Sequence, residues 1–416
     1  MRIGIDGRAL RAGREPRGVA VYLERLLREL VRLHPEDEYS VLVPGGARMA
    51  AVPEGVEVVS GASAPALAHA AGAILRRPRL DRMLGRPELV WLPAPAPVGL
   101  CRDAIYVLTV HDLSFVHQPR DFSAYARLWH RLARPGRLAA GARVVLTDTE
   151  HVRGQLIETW DLPADRVRAV PPGPGRAGAG SEAGAGSEAG TRSEAGTRSE
   201  AGTRSEAGAQ SEAGARSEAG AQSEAGARSE AGAVREAGAV REGADAASYV
   251  LAVGALEPRK LPDLLARAHA RARERGLRAG LVFAGDGPLR GELEAGGARV
   301  LGYVTDADLD AAYGRALCLA CVSREEGFGF TPLEALASGV PPVVSDLPVF
   351  AETLGGDAAL RVPVGDVEAL ADALLRLERE PELRSRLVEA GRTRLRELSW
   401  ERTARETRAA FEEALA

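Results

Sequence analysis

Between Gly178 and Gly243 the chain runs through eleven consecutive hexads of one type, from GAGSEA through GTRSEA and GAQSEA to GAVREA and GAVREG. This tract limits the fold more than any other feature. It contains no aromatic residue and almost no large apolar one, and a glycine in every hexad opposes a helix. An array of helices would need apolar positions at a spacing of 3.6, and they are missing. Nothing in the tract buries enough surface to offset its ordering entropy, so it is read as a disordered tether and an inert loop expansion. Its eleven Glu and seven Arg carry −4, the net charge of the whole chain, so the remainder balances to zero. A core must therefore be built from what lies on either side.

On both sides, short apolar runs alternate with helical stretches. Before the tract, strands are predicted near Arg2 to Asp6, Tyr39 to Val43, Val56 to Val59, Leu89 to Leu92, Ile105 to Val110 and Val144 to Thr147. Helices are predicted near Val19 to Leu33 and Ala124 to Ala139. After the tract, strands are expected at Tyr249 to Val253, Leu281 to Ala284, Leu317 to Val322 and Pro342 to Ser345, again with helices between. This alternation predicts two α/β units with mostly parallel sheets and a ligand cleft between them. The expected boundaries are 1–173 for the first unit, 174–246 for the tether, 247–398 for the second unit and 399–416 for a C-terminal helix. That helix, from Trp400, places Trp400, Ala404, Phe411 and Leu415 on one stripe suited to pack across the domain boundary.

Composition excludes several classes. At 416 residues and 45% hydrophobic, the chain can build two cores. No run of about 18 apolar residues occurs, and MRIGIDGRAL enters a strand directly, which predicts a cytoplasmic protein. Cys318 and Cys321, three apart on one strand, point to opposite faces and are expected to be buried rather than a metal or redox pair. A net charge of −4 gives no attraction for nucleic acid. Arg76, Arg77, Arg79, Arg82 and Arg86, with Arg127, Arg131, Arg134 and Arg137, are read as arginine bias on solvated helices. The alternative is a basic face for anionic lipid and peripheral contact with the inner membrane face.

The chemistry concentrates in EGFGFTPLEALASGVPPVVSD, Glu326 to Asp346. Thr331 is placed as N-cap, Pro332 as first helical residue and Gly339 as the stop, predicting a helix over Pro332 to Ser338. Glu326 then lies on the entering loop and Glu334 in the first turn. Gly327 and Gly329 admit a close ligand, and a diphosphate suits the free N–H groups. Carboxylates suit vicinal hydroxyls, since their oxygens only accept. The competing reading is a capping box of Thr331 and Glu334.

Of the 54 basic residues, a single one is lysine, Lys260. It sits in VGALEPRK, on the loop after a predicted strand, where α/β sheets bind ligands. Arg259 and Lys260 together could neutralise a diphosphate, whereas the dipeptide by itself reads as a solvated surface pair. DADLD, Asp306 to Asp310, fits the first turn of a helix Ala307 to Ala316, so no metal site is expected.

Taken together, these segments resemble the retaining GT-B glycosyltransferases of family 4, in their bacterial mannosyltransferase-like branch, over nearly the whole chain outside the hexads. The E-x7-E signature corresponds to Glu326 and Glu334 in EGFGFTPLE, and VGALEPRK to the phosphate loop with Gly254, Arg259 and Lys260. AGDGPLR is similar to the glycine turn after the next strand, GYV ending at Val304 to the nucleobase stretch, and SWERTARET to the closing helix. TVHDLSFVHQPRDFS resembles the segment that brings His111 near the donor sugar, and RGVAVYLERLL the loop with Gly18.

The resemblance implies a GT-B fold, two Rossmann-like α/β/α domains facing a cleft with the tether inserted between them. It implies metal-independent, retaining transfer of a sugar, mannose from GDP-mannose as first choice, to a glycan, lipid-linked or small-molecule acceptor, with no cofactor. The donor would be held by Glu334, Gly327, Phe328, Gly329, Gly18, Val304 and Gly254, with Arg259, Lys260, Glu326 and His111 catalytic. Family members commonly carry Asn after the Arg-Lys pair, whereas Leu261 and Pro262 follow here, so the loop is one residue short. A sugar-nucleotide epimerase and a noncatalytic nucleotide-sugar scaffold are the rival functions.

Overall fold

A computed structural model of the chain describes residues 1–10, 18–43, 52–60, 78–175 and 248–416. The hexad tract expected as a tether, together with Arg76 and Arg77, lies outside the described residues.

The apolar runs before residue 175 form a seven-stranded sheet. Its strands are β1 (Arg2–Asp6), β2 (Glu38–Val43), β3 (Val56–Ser60), β4 (Leu89–Leu92), β5 (Tyr106–Thr109), β6 (Val144–Thr147) and β7 (Val167–Ala169), in the order β3-β2-β1-β4-β5-β6-β7. The second sheet holds β8 (Tyr249–Val253), β9 (Gly280–Ala284), β10 (Arg299–Val300), β11 (Ala316–Cys321), β12 (Pro342–Ser345) and β13 (Leu360–Val362), in the order β10-β9-β8-β11-β12-β13. Every pairing of these strands is parallel. Helices cover both faces, and so β4 (LVWL) and β6 (VVLT) are buried at every position instead of alternating.

Each strand order reverses direction once, between β1 and β4 in the first sheet and between β8 and β11 in the second. In such sheets the crevice outside the carboxyl ends at the reversal is where ligands bind. These are two α/β units, each with its own parallel sheet.

The last helix, Trp400–Leu415, returns to the first sheet. Ala404 and Phe411 join Ile3, Tyr22, Leu26 and Trp91 in one buried cluster, and the helix packs along Gly18–Leu33. Full burial of Phe411 alone is worth about 1.5–3 kcal/mol. Arg408 ties the same helix to Asp37 (2.8 Å), which also accepts from the N-terminal ammonium (2.7 Å).

Three local readings change. The helix expected over Ala124 to Ala139 is two helices, Ala124–Ala133 and Pro135–Gly141, because Pro135 cannot continue the first and Arg134 takes a left-handed turn (φ 49°). β7, β10 and β13 were not anticipated, being only two or three residues long. The helix with Asp306 runs Asp306–Arg315, one residue earlier than expected, capped by Thr305, whose Oγ1 accepts from the Asp308 amide at 3.2 Å. The cysteines alternate: Cys318 lies in the cluster on one face of the second sheet, where burial pushes its thiol up to about 12, and Cys321 packs against the other.

Candidate active site

At the reversal of the second sheet the loops after β8 and β11 come together. Gly254 (φ 130°) turns the chain out of β8, and a β-carbon on Gly285 would stand 1.9 Å from the Gly254 carbonyl oxygen. The loops VGALE and AGDG therefore lie backbone to backbone, joined by bonds from Gly254 N to Ala284 O and from Leu256 N to Asp286 O (each 3.0 Å). The next turn, Pro258–Lys260, is 3-10 and presents Arg259 and Lys260. The ammonium of Lys260 donates to Glu326 Oε1, which also accepts from Ser323 Oγ at 2.6 Å. Burial works to raise the Glu326 carboxyl, but the charges of Lys260 and Arg259 prevail and hold it below the usual carboxylate range.

Leu261, directly after Lys260, occupies the left-handed region (φ 48°) as the residue that enters the helix Pro262–Glu274. It caps nothing with its side chain, which is buried in the core instead.

The helix of the acidic motif runs Phe330–Ala337, not Pro332 to Ser338. Its N-cap is Gly329 (φ 87°), not Thr331, and Thr331 and Pro332 are its second and third residues. The capping box is thereby ruled out, and Glu334 stands beyond the first turn. Gly329 is needed twice over, for its dihedral and because a β-carbon would lie 2.5 Å from the Phe350 ring. Phe328 is buried beside Phe330. Glu334 lies against the chain leaving the first unit: a β-carbon on Gly175 would be 2.4 Å from its Oε1. In the GYV triplet Gly302 (φ 70°) bridges to Gly285, Val304 packs against an apolar cluster, and Tyr303 is exposed.

In the first unit His111 follows β5. Its Nδ1 lies 2.8 Å from Asp148 Oδ2 and its Nε2 3.0 Å from the Pro93 carbonyl at the end of β4. A carbonyl only accepts, so Nε2 carries a proton, and the carboxylate asks the same of Nδ1. Burial works against the charged ring, yet Asp148 outweighs it and the pKa is raised above 6.5. His111 thus has both ring nitrogens engaged and its charged form favoured by Asp148, and Tyr22 meets its ring edge-on at 4.7 Å. Gly18 opens the helix Gly18–Leu33 with open space where a β-carbon would stand.

The two halves meet through residues that the sequence reading missed. Glu325 accepts from Gln118 Nε2 (3.3 Å) and pairs with His117 Nδ1 (2.9 Å), and Arg324 reaches Asp121 at 3.0 Å. The guanidinium of Arg259 lies over the Phe122 ring at 6.0 Å. Glu352 caps the helix Glu150–Trp160 from the other unit, accepting from the amides of Glu150 (2.7 Å) and His151 (3.0 Å). The one signal available was the adjacency of Glu325 to Glu326 and of His117 to the His111 segment. Among the described residues no group of three or more His, Cys, Asp or Glu could hold a metal ion, and no helix is long and apolar enough to cross a membrane.

The family model described as glycosyl transferases group 1 matches residues 242–394, and the model described as glycosyltransferase family 4 matches residues 16–174. Between them they account for most of the chain. Each of the two units thus matches a glycosyltransferase domain model, and the chain has the GT-B fold.

Several curated proteins resemble this GT-B chain in part. The phosphatidyl-myo-inositol mannosyltransferase of Mycobacterium leprae is 43% identical over 105 residues, 24% of this chain and 28% of the relative. The O-antigen chain mannosyltransferase B of Escherichia coli is 34% identical over 170 residues, 38% of this chain and 44% of the relative. The D-inositol 3-phosphate glycosyltransferase of Saccharomonospora viridis is 35% identical over 195 residues, 42% and 45% of the two chains. Each match spans less than half of the relative's length.

Solved structures agree in fold over the whole GT-B chain. Sucrose-phosphate synthase from Thermosynechococcus elongatus superimposes with a TM-score of 0.63 at 15% identity, covering 99% of this chain and 98% of that one. Anabaena HepE, in complex with UDP and glucose, gives 0.60 at 13% identity over 99% of both chains.

Proposed function

We propose that this protein transfers a sugar from a nucleoside diphosphate to an acceptor hydroxyl with retention of configuration. The observation that carries this reading is the meeting of Lys260, Arg259 and Glu326 at the reversal of the second sheet, opposite the His111 loop. A buried carboxylate held by the only lysine is a charge pair that a donor can exchange. On binding, the diphosphate takes over Lys260 and Arg259, and Glu326 is released to accept hydroxyls of the sugar. Gly254 and the backbone of Gly327, Phe328 and Gly329 admit the phosphates, Glu334 holds ribose hydroxyls, and the stretch ending at Val304 borders the base. Gly18 faces the sugar from the other unit.

His111, with both ring N–H groups taken, acts as a fixed positive charge beside the sugar and its leaving group rather than as a base. In the transfer the acceptor oxygen bonds to the anomeric carbon as the bond from that carbon to the diphosphate oxygen breaks. The acceptor proton passes to the departing phosphate. The two cations neutralise that charge in the role a metal would otherwise fill, and no cofactor is required.

Mannose and GDP-mannose are the first choice of donor, supported by the mannosyltransferase names of two relatives; the UDP seen with HepE makes uridine the competing base. The acceptor is a glycan, lipid-linked or small-molecule hydroxyl. Calorimetry of the full chain against GDP, UDP and ADP, first without metal and then with magnesium, tests this reading. Metal-independent binding of one nucleotide is expected; binding of none would remove the donor site. Conversion of the sugar nucleotide with no acceptor present would favour an epimerase.

A further inference from the structure

Many exposed helical arginines of this protein are neutralised within their own turn, as in Arg28 with Glu24, Arg376 with Glu380 and Arg402 with Glu406. One segment gathers several that are not. From Phe122 to Thr147 the sequence contains five arginines and no aspartate or glutamate. Arg127, Arg131 and Arg137 are exposed there, and among the described residues none has an acidic partner. Single exposed arginines without an acidic partner, such as Arg267 and Arg386, occur in other helices, but here three fall together in a stretch without any acidic residue.

The same segment leaves apolar surface uncovered. In the helix Ala124–Ala133 only Ala133 is buried. Tyr125 and Leu128, one turn apart, are 65% and 51% exposed, and the Tyr125 and Trp129 rings lie 6.5 Å apart. Arg127 and Arg131 form the stripe beside them. Apolar and aromatic side chains flanked by unpaired cations match the chemistry of an anionic lipid interface, with acyl carbon beneath the rings and phosphate beside the guanidinium groups.

We infer that the helix Ala124–Ala133, extended by Arg137, is a docking surface for an anionic membrane. The His130 ring in this helix stacks on Phe115 at 4.4 Å, and the neighbouring Phe122 lies under Arg259. A membrane seated here thus borders the mouth of the candidate site. That this delivers a lipid-borne acceptor rests on the glycosyltransferase reading; the docking itself does not.

The test is sedimentation of the full chain with phosphatidylglycerol-containing vesicles and with pure phosphatidylcholine vesicles, at low and high salt. Binding to the anionic vesicles only, weakened by salt, is expected. Charge reversal in R127E/R131E/R137E should lower it at least about tenfold. The separate variant Y125S/L128S should lower it too, while melting temperature and nucleotide binding stay unchanged in both. Equal binding to neutral vesicles, no binding to either, or variants that bind like the parent would overturn the proposal. Failure of nucleotide binding alone would sink the transferase reading and leave the docking surface standing.

Discussion

Gly327 in the second unit packs onto the main chain of His111 in the first: a β-carbon at Gly327 would lie 1.9 Å from the His111 carbonyl oxygen. On the other side its own carbonyl accepts from Thr149 Oγ1 at 3.2 Å. Glycine is required there by proximity, since its backbone is not among the positive-φ glycines.

Gly327→Ala must therefore move the loop by more than an ångström and spread the cleft. Transfer is expected to fall on the order of a hundredfold, the penalty for misplacing reacting groups by about that distance. Steady-state kinetics reads the loss, and X-ray scattering should show a larger radius of gyration with both units still folded. Unaltered kinetics would mean that the halves work without this contact.

Lys260→Ala removes the partner that holds Glu326 and the compact charge offered to the diphosphate. Turnover is expected to fall by more than about tenfold, with weaker nucleotide binding by calorimetry. Retained binding with lost turnover would instead restrict Lys260 to the departing charge.

The pair His111 and Asp148 predicts a direction with pH. The folded pKa of His111 is raised above 6.5, so its contribution to stability is complete below about 6.5 and is lost as pH rises through the folded value. Asp148→Asn leaves burial as the dominant influence, and the ring should then titrate below 6.5. Imidazole NMR of both proteins checks the shift. A wild-type ring titrating lower than the variant's would contradict the assignment.

Leu261 sets two effects against each other. Its left-handed backbone costs about 1–2 kcal/mol, whereas its buried side chain is worth about 2–5 kcal/mol against truncation. Burial wins, so Leu261→Gly is expected to destabilise by about 1–3 kcal/mol in urea unfolding. A more stable variant would show that strain dominates at this turn.

The short apolar runs alone determined the two parallel sheets, and the glycine-bounded motifs the strand-end loops on which the candidate residues lie. These are local signals: a strand buried on both faces reads as a continuous apolar run, and Gly254 and Gly329 mark where the backbone must turn. β10 and β13 escaped because two or three residues leave no periodicity to read. The start of the helix at Phe330 escaped because the Phe350 ring and the dihedral at Gly329, not Thr331, decide it. Only the tertiary structure determined the partners: Lys260 with Glu326, His111 with Asp148 and Pro93, His117 with Glu325, and Glu352 on the Glu150 helix. These contacts join residues from 18 to 208 positions apart, and they exist only once the sheets have formed and the units have met.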